Sequence, residues 1–451
     1  MKNADVLSKP QPWTAPLKNA GLVGTGKGLQ GVVSLVAFAL AARQLGATDF
    51  GFFVLIHGIM FGLSHILRAQ SWQAVLKYGT EALHDNDRKR LKNILRYTFS
   101  IDILAAIVGV VIALFLVTPL SAVIGLPSGQ LGLVKLYWIS IFLILLTPTQ
   151  FGVLRLFNRF DLIAVQTVIG PFIRFAGTVF LYFFTSAGLP AYLLVWFAGT
   201  IAGRFCLFAM ALYTLRDHDL DGHCYKPVHP LHNNSEAGIV RFILAHNLTS
   251  SLQAAREPVG LILIGGMLGP AAAGIFRIAQ KFADILMKPA GKILIPAIFP
   301  EFAKYETGQG DKQHQHMIYK NIFVIGSLSL LVFAVLWLGG RQLIALIYGS
   351  DYLAAYKPMI WLCAAGLITI LSYPLEPFLS AGRRLQTIIL ANAAGLLIFA
   401  GLLWSLSGIY GVTAAGIAAL ASVVINTVIM LAGGGYDMLK APVQEGSRGF
   451  K

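Results

Sequence analysis

Charged side chains are scarce. Only 12% of the 451 residues are Asp, Glu, Lys or Arg, against 56% hydrophobic residues and a mean hydropathy of +0.71. A soluble domain carries about twice that charged share, so a water-soluble globular protein is excluded. Acids are scarcer still, 20 against 35 Lys and Arg, for a net charge of +15. In a soluble chain such an excess would point to nucleic acid; in one this apolar it points to membrane orientation and an anionic substrate. Three cysteines (Cys206, Cys224 and Cys363) exclude a disulfide framework. The first 19 residues hold no long apolar run, and no cleavable signal peptide is expected.

Long apolar runs are what the chain does have. With a window of roughly 20 residues per crossing, twelve spans are expected near 22–42, 51–72, 97–117, 133–154, 162–184, 189–214, 239–264, 272–300, 318–338, 354–379, 386–406 and 411–433. From a cytoplasmic N-terminus, inside segments then collect the bases: Lys2, Lys9 and Lys18; Lys77 and the run Arg88, Lys89, Arg90, Lys92 and Arg96; Arg155 and Arg159; and so on to Lys440, Arg448 and Lys451. Outside connections hold only Arg43 and Arg341. That alternation predicts both termini cytoplasmic. The outside loops are too short for an external catalytic segment, so no enzymatic activity is expected.

The chain also repeats. Leu45-Gly46 through Phe53 and Leu268-Gly269 through Phe276 share the pattern LG-x4-G-x-F at the same kind of turn, 223 residues apart. Lys135 with Trp138 and Pro148 are answered by Lys357 with Trp361 and Pro374. Two six-helix lobes in one orientation follow, as in secondary transporters whose cargo binds between repeats. The expected layout is an N-terminal tail over 1–21, an N-lobe over 22–216, a linker over 217–237, a C-lobe over 238–434 and a C-terminal tail over 435–451. The linker carries Cys224, His229 and His232 among other histidines, but their spacing matches no zinc pattern and no metal is expected.

Bases at membrane depth must face water or partners. On span eight, Arg277, Lys281, Asp284, Lys288 and Lys292 fall on one stripe about 80° wide, opposite Ile278 and Phe282. Span two carries His57, His65 and Arg68, span one Lys27, and span seven Arg256 beside Glu257. Four cations with one acid on a single stripe predict a positively charged, water-filled cavity. Arg256, Arg277, Lys281, Lys288 and Arg68 are the expected anion contacts, with Lys292, His57, His65 and Lys27 beside them. Glu257, Asp284 and Glu376 are the candidates for H+ or Na+ coupling; no other cofactor is expected. Asp102 is expected to pair with Arg96 or a similar base near the cytoplasmic end, Lys135, Arg204 and Lys357 to snorkel, and Pro148, Pro171, Pro289, Pro296, Pro374 and Pro377 to interrupt their spans.

Ala42-Arg43-Gln44-Leu45-Gly46 with Asp49-Phe50-Gly51 resembles the opening signature of bacterial polysaccharide flippases. Leu268-Gly269-Pro270 with Ala273-Gly274-Ile275-Phe276, and Ile347-Tyr348-Gly349-Ser350-Asp351-Tyr352, resemble second-lobe counterparts. The chain is thus similar to Wzx-type oligosaccharide-lipid (O-antigen) flippases of the multidrug/oligosaccharidyl-lipid/polysaccharide exporter superfamily. The resemblance implies an all-α, V-shaped bundle like that of the MATE transporters, working by alternating access in the bacterial inner membrane. It also implies a polyprenyl (undecaprenyl) pyrophosphate-linked oligosaccharide as cargo, membrane lipids as surroundings, and a polysaccharide polymerase and chain-length regulator as partners. A related drug exporter, a lipid II exporter and a non-transporting scaffold of the assembly machinery are the alternatives.

Overall fold

A computed structural model describes residues 14–218, 220, 239–240, 243, 258–284, 312–373, 375–376, 379 and 384–435. Regular structure there is entirely helical. The first helix, α1 (Thr14–Leu67), has 54 residues. Straight, it would reach about 80 Å, more than twice the hydrocarbon thickness. It folds back at Gly46, whose φ of 71° and ψ of 176° no side-chain-bearing residue adopts without strain. Gly269, the repeat counterpart, has φ 85°. The LG-x4-G-x-F motif therefore encodes the same backbone reversal twice.

The chain packs as two units, Met1–Ile262 and Leu263–Lys451. In the first, α1 is followed by α2 (Ser71–His84), α3 (Arg88–Val123), α4 (Leu131–Ile139), α5 (Ile141–Leu146), α6 (Pro148–Leu156), α7 (Phe160–Phe184) and α8 (Leu189–Asp217). A short apolar helix, α9 (Pro258–Leu268), contains the division between units. The second unit continues with α10 (270–284), α11 (Lys312–Tyr348), α12 (Tyr356–Ser372), α13 (Leu385–Tyr410) and α14 (Thr413–Met430). Most of the expected 217–237 linker lies outside the described residues.

Nine segments among the described residues are long and apolar enough to cross a membrane; the first, Gly24–His84, contains the Gly46 reversal. Their lipid-facing character shows in large exposed apolar side chains such as Phe115, Phe184, Leu338 and Trp404, each at least 74% exposed. The remainder of spans seven and eight, 241–242, 244–257 and 285–300, falls outside the described residues.

Three boundaries depart from the sequence reading. Span two stops at Leu67, and residues 68–70 turn into α2, where a loop was expected. This helix is amphipathic, burying Ala74, Val75, Gly79 and Ala82 while Lys77, Glu81 and His84 face out. Span four is not one helix but three, α4 to α6, broken at Ser140 and at Thr147–Pro148. Pro171, expected to interrupt its span, sits inside an unbroken α7.

A cluster of Val75, Leu91, Leu95, Tyr97, Val153 and Leu215 holds α2, α3, α6 and α8 together at one end of the first unit. Asp87 caps α3 by accepting from Arg90 N at 2.9 Å. Toward the opposite end, Gln44 donates to Leu181 O (3.3 Å) and Thr185 O (2.8 Å) and accepts from Tyr192 Oη, tying α1 to α7 and α8.

Candidate functional site

The break at Pro148 organises the interior of the first unit. Proline has no N–H, so the Ile144 carbonyl loses its helical donor. The Thr147 hydroxyl replaces it, donating to Ile144 O at 3.1 Å. The helix restarts at α6, and its first amides need an acceptor. Asp102, fully buried on α3, supplies one: it accepts from Thr149 N at 2.8 Å and from Ser71 Oγ at 2.6 Å. A single carboxyl thus joins α3 to the starts of α2 and α6. The cation acting on it is Arg68, in the turn between α1 and α2. Asp102 was expected to pair with Arg96 or a similar base; the base acting on it is Arg68, and its hydrogen bonds run to the two helix starts.

Two further arginines line the same interior. Arg204 on α8 donates to Thr147 Oγ1 at 3.5 Å, so it points inward and does not snorkel as expected. Arg174 on α7 donates to Thr200 Oγ1 at 2.8 Å. Thr200 and Arg204, four apart, share one face of α8. Arg174 reaches that face because Gly199 has no side chain: a Cβ there would lie 2.6 Å from Arg174 Cγ and 2.9 Å from the Gly170 carbonyl. The charges acting on Arg204 are those of Arg68 and Arg174, both of its own sign. The Nε atoms of Arg68 and Arg174 are buried without a hydrogen-bond partner.

The polar interior extends to His57 through Tyr137, whose charge-bearing neighbour is Arg174. His57 Nδ1 and Tyr137 Oη lie 2.6 Å apart. Phe53 and Phe61 stack on the His57 ring at 6.2 and 5.9 Å. His65 lies edge-on to Phe61 at 4.6 Å. Lys27 is exposed on α1, next to Gly26, which lines an apolar groove of about 600 Å³ shared with Ala164, Val168 and Phe172 of α7.

At the polar end, Arg155 stacks on Trp72 (4.8 Å) and Phe151 (5.6 Å), a cation–π clamp between α6 and α2. Arg159, between spans, is held above its ordinary range first by its hydrogen bond to Asp161.

In the second unit, α10 presents Arg277, Lys281 and Asp284 on a partly exposed face opposite buried Ile278 and Phe282, as the stripe requires. Arg277 donates to Gln280 Oε1 at 2.7 Å, and Phe282 packs edge-on against Tyr348 at 6.1 Å. Glu376 is half-buried, and its charge acts on Tyr373. Lys288, Lys292, Arg256 and Glu257 lie outside the described residues. Among the described residues no group of three or more His, Cys, Asp or Glu is placed to hold a metal ion; Cys224, His229 and His232 are outside them. Sequence reasoning missed Asp102, Arg174 and Arg204 as one cluster.

Residues 17–306 match the family of polysaccharide biosynthesis proteins. The chain belongs to that family. Escherichia coli (strain K12) inner membrane protein YghQ is 29% identical over 344 residues, spanning 75% of this chain and 94% of YghQ. Two solved structures share its fold. Lipid II flippase MurJ in an inward closed conformation gives a TM-score of 0.70 at 14% identity, over 91% of this chain and 87% of that one. An inward-facing multidrug resistance MATE family transporter of the MOP superfamily gives 0.67 at 15% identity, over 92% and 94%. This polysaccharide biosynthesis protein is therefore a multi-pass membrane protein of the fold shared by the MATE transporter and MurJ. The family match contains Arg68, Arg174 and Arg204.

Proposed function

We propose that this protein is a flippase that moves an undecaprenyl-pyrophosphate-linked oligosaccharide from the cytoplasmic to the outer leaflet of the bacterial inner membrane, by alternating access. The observation that carries this reading is the polysaccharide-biosynthesis family match over 17–306 in a chain whose interior holds Arg68, Arg174 and Arg204. Arginine forks suit phosphate oxygens, and the apolar groove between α1 and α7 has the chemistry of a hydrocarbon-chain site. YghQ's description as an inner membrane protein supports the location. The clustering of Lys and Arg in alternate loops supports cytoplasmic termini. In this account Arg277, Lys281, Lys288, Lys292, Arg256, His57, His65 and Lys27 are further anion contacts. Glu257, Asp284 or Glu376 couples transport to H+ or Na+, and the polymerase and chain-length regulator receive the product.

The test is deletion of the gene in its native host, with the lipid-linked intermediate quantified by mass spectrometry and its leaflet assigned by an impermeant sugar-oxidising reagent. The flippase reading expects loss of surface glycan and intermediate protected from the reagent on the cytoplasmic side. Unchanged surface glycan with lost efflux of cationic drugs would make it a drug exporter instead. Altered chain length without accumulated intermediate would make it a scaffold.

A further inference from the structure

The fully buried carboxyl of Asp102 is met by groups that suit two protonation states. Oδ2 accepts from the Thr149 amide at 2.8 Å, and Oδ1 from the Ser71 hydroxyl at 2.6 Å. An amide can only donate, so Oδ2 is an acceptor in either state. A hydroxyl both donates and accepts. A proton placed on Oδ1 therefore keeps the Ser71 contact with its direction reversed. A third group is unused: the Thr149 hydroxyl acts on the same carboxyl, yet Thr149 Oγ1 is buried with no hydrogen-bond partner. It can accept from the neutral acid. A carboxyl built only to stay charged would be gripped by fixed donors, above all by a guanidinium fork. Arg68 does not grip it: the hydrogen bonds of the carboxyl go to Ser71 and Thr149, and Arg68 Nε has no partner. Of the elements packed on α3, which are α1, α2, α4, α5 and α6, none presents another charged group that acts on Asp102 among the described residues. Arg204 of α8 acts on Arg68 in turn.

We infer that Asp102 carries a proton through the transport cycle, alternating between a carboxylate that brackets α2 and α6 and a neutral acid. In the neutral form the hydrogen sits on Oδ1 and is donated to Ser71 Oγ or Thr149 Oγ1. The proton comes from water and returns to water, with no other reactant. The inference rests on the transport reading, and it adds an acid of α3 to the coupling candidates Glu257, Asp284 and Glu376. The switch has a mechanical output. In the charged form a carboxylate holds the first turn of α6 at its positive dipole end. The neutral acid makes the same amide bond about half as strong. Two residues before Thr149 lies the break at Thr147–Pro148, where the Thr147 hydroxyl meets Arg204 at 3.5 Å. Protonation thus loosens α6 at the point where span four is already interrupted, a local charge change acting on an element with two arrangements.

Infrared difference spectroscopy on the full-length protein in lipid bilayers, taken over a pH series, reads the carboxyl directly. The expected result is the carbonyl stretch of a buried neutral acid that grows in on acidification. Asp102→Asn abolishes the band, and Ser71→Ala, which removes one acceptor of the proton, shifts it. The Ser71→Ala shift assigns the band even where Asp102→Asn does not fold. No such band, or one that neither substitution changes, overturns the site. The second readout is transport of a fluorescent polyprenyl-diphosphate oligosaccharide in proteoliposomes, with and without an imposed pH gradient. The wild-type rate is expected to follow the gradient. Asp102→Asn keeps an acceptor for Thr149 N and offers Ser71 an amide donor, as the neutral acid does, and its rate is expected to lose that response. A purely structural bracket would lower stability in Asp102→Asn without moving either readout. A wild-type rate indifferent to the gradient, or an equal response in Asp102→Asn, overturns the coupling role. A titrating Asp102 band in a protein that moves no lipid-linked sugar would sink the flippase reading and leave the proton site standing. Gradient-driven transport without the band would do the reverse.

Discussion

Replacing Asp102 by Ala should strongly destabilise the protein. Its carboxyl is fully buried and is the shared acceptor for Ser71 Oγ and the first free amide of α6, with Arg68 alongside. Truncation leaves a buried amide and a buried hydroxyl without their acceptor and removes the charge that acts on Arg68. Each buried donor left without its acceptor costs about 1–3 kcal/mol, and losing the charge that acts on Arg68 adds to this. A unit of this size loses roughly 2–4 °C of Tm per kcal/mol. The expected shift in a detergent thermal-unfolding assay is therefore on the order of 10 °C. Asp102→Asn keeps the shape and one acceptor oxygen, and should lose about half as much. Because part of the loss is the charge that acts on Arg68, adding Arg68→Met to Asp102→Asn should restore about 1–3 kcal/mol. An Asp102→Ala protein melting within 1 °C of wild type would refute the reasoning, as would strictly additive losses in the double variant.

Two further outcomes follow from the backbone. Gly46→Ala and Gly269→Ala each place a Cβ on a left-handed residue and should cost about 1–3 kcal/mol apiece, read as lowered Tm; no loss at either would contradict the paired-reversal account. Gly199→Ala drives a Cβ into Arg174 and the Gly170 carbonyl. It should lower transport about as much as Arg174→Gln while leaving insertion intact. Full transport in that variant would show that Arg174 need not lie against α8.

Where signals were local, the sequence was legible. The Gly46 and Gly269 reversals, the break at Pro148 and the polar stripe on α10 each show in a few adjacent residues whose chemistry dictates one geometry. Helix α2 was missed because Lys77, Glu81 and His84 dominate its composition, although its apolar positions are small residues packed on α3 and α6. Pro171 misled because a proline deep in a membrane helix can be tolerated when neighbours satisfy the freed carbonyl. The arginine cluster was illegible for a different reason. Thr147 and Arg204 are 57 positions apart, Ser71 and Asp102 31. No periodicity links them, and an isolated arginine in an apolar run reads equally well as a snorkelling residue.

The central claim is that a lipid-linked diphosphate sugar crosses the membrane through this protein by way of its interior arginines. Proteoliposomes loaded with a fluorescent polyprenyl-diphosphate oligosaccharide, quenched from outside by an impermeant reductant, measure that crossing directly. The account predicts that wild-type protein makes the inner-leaflet pool accessible, and that Arg174→Gln with Arg204→Gln, inserted at equal density, slows this by at least tenfold. Equal rates in the two preparations, or no crossing above protein-free liposomes, would contradict it.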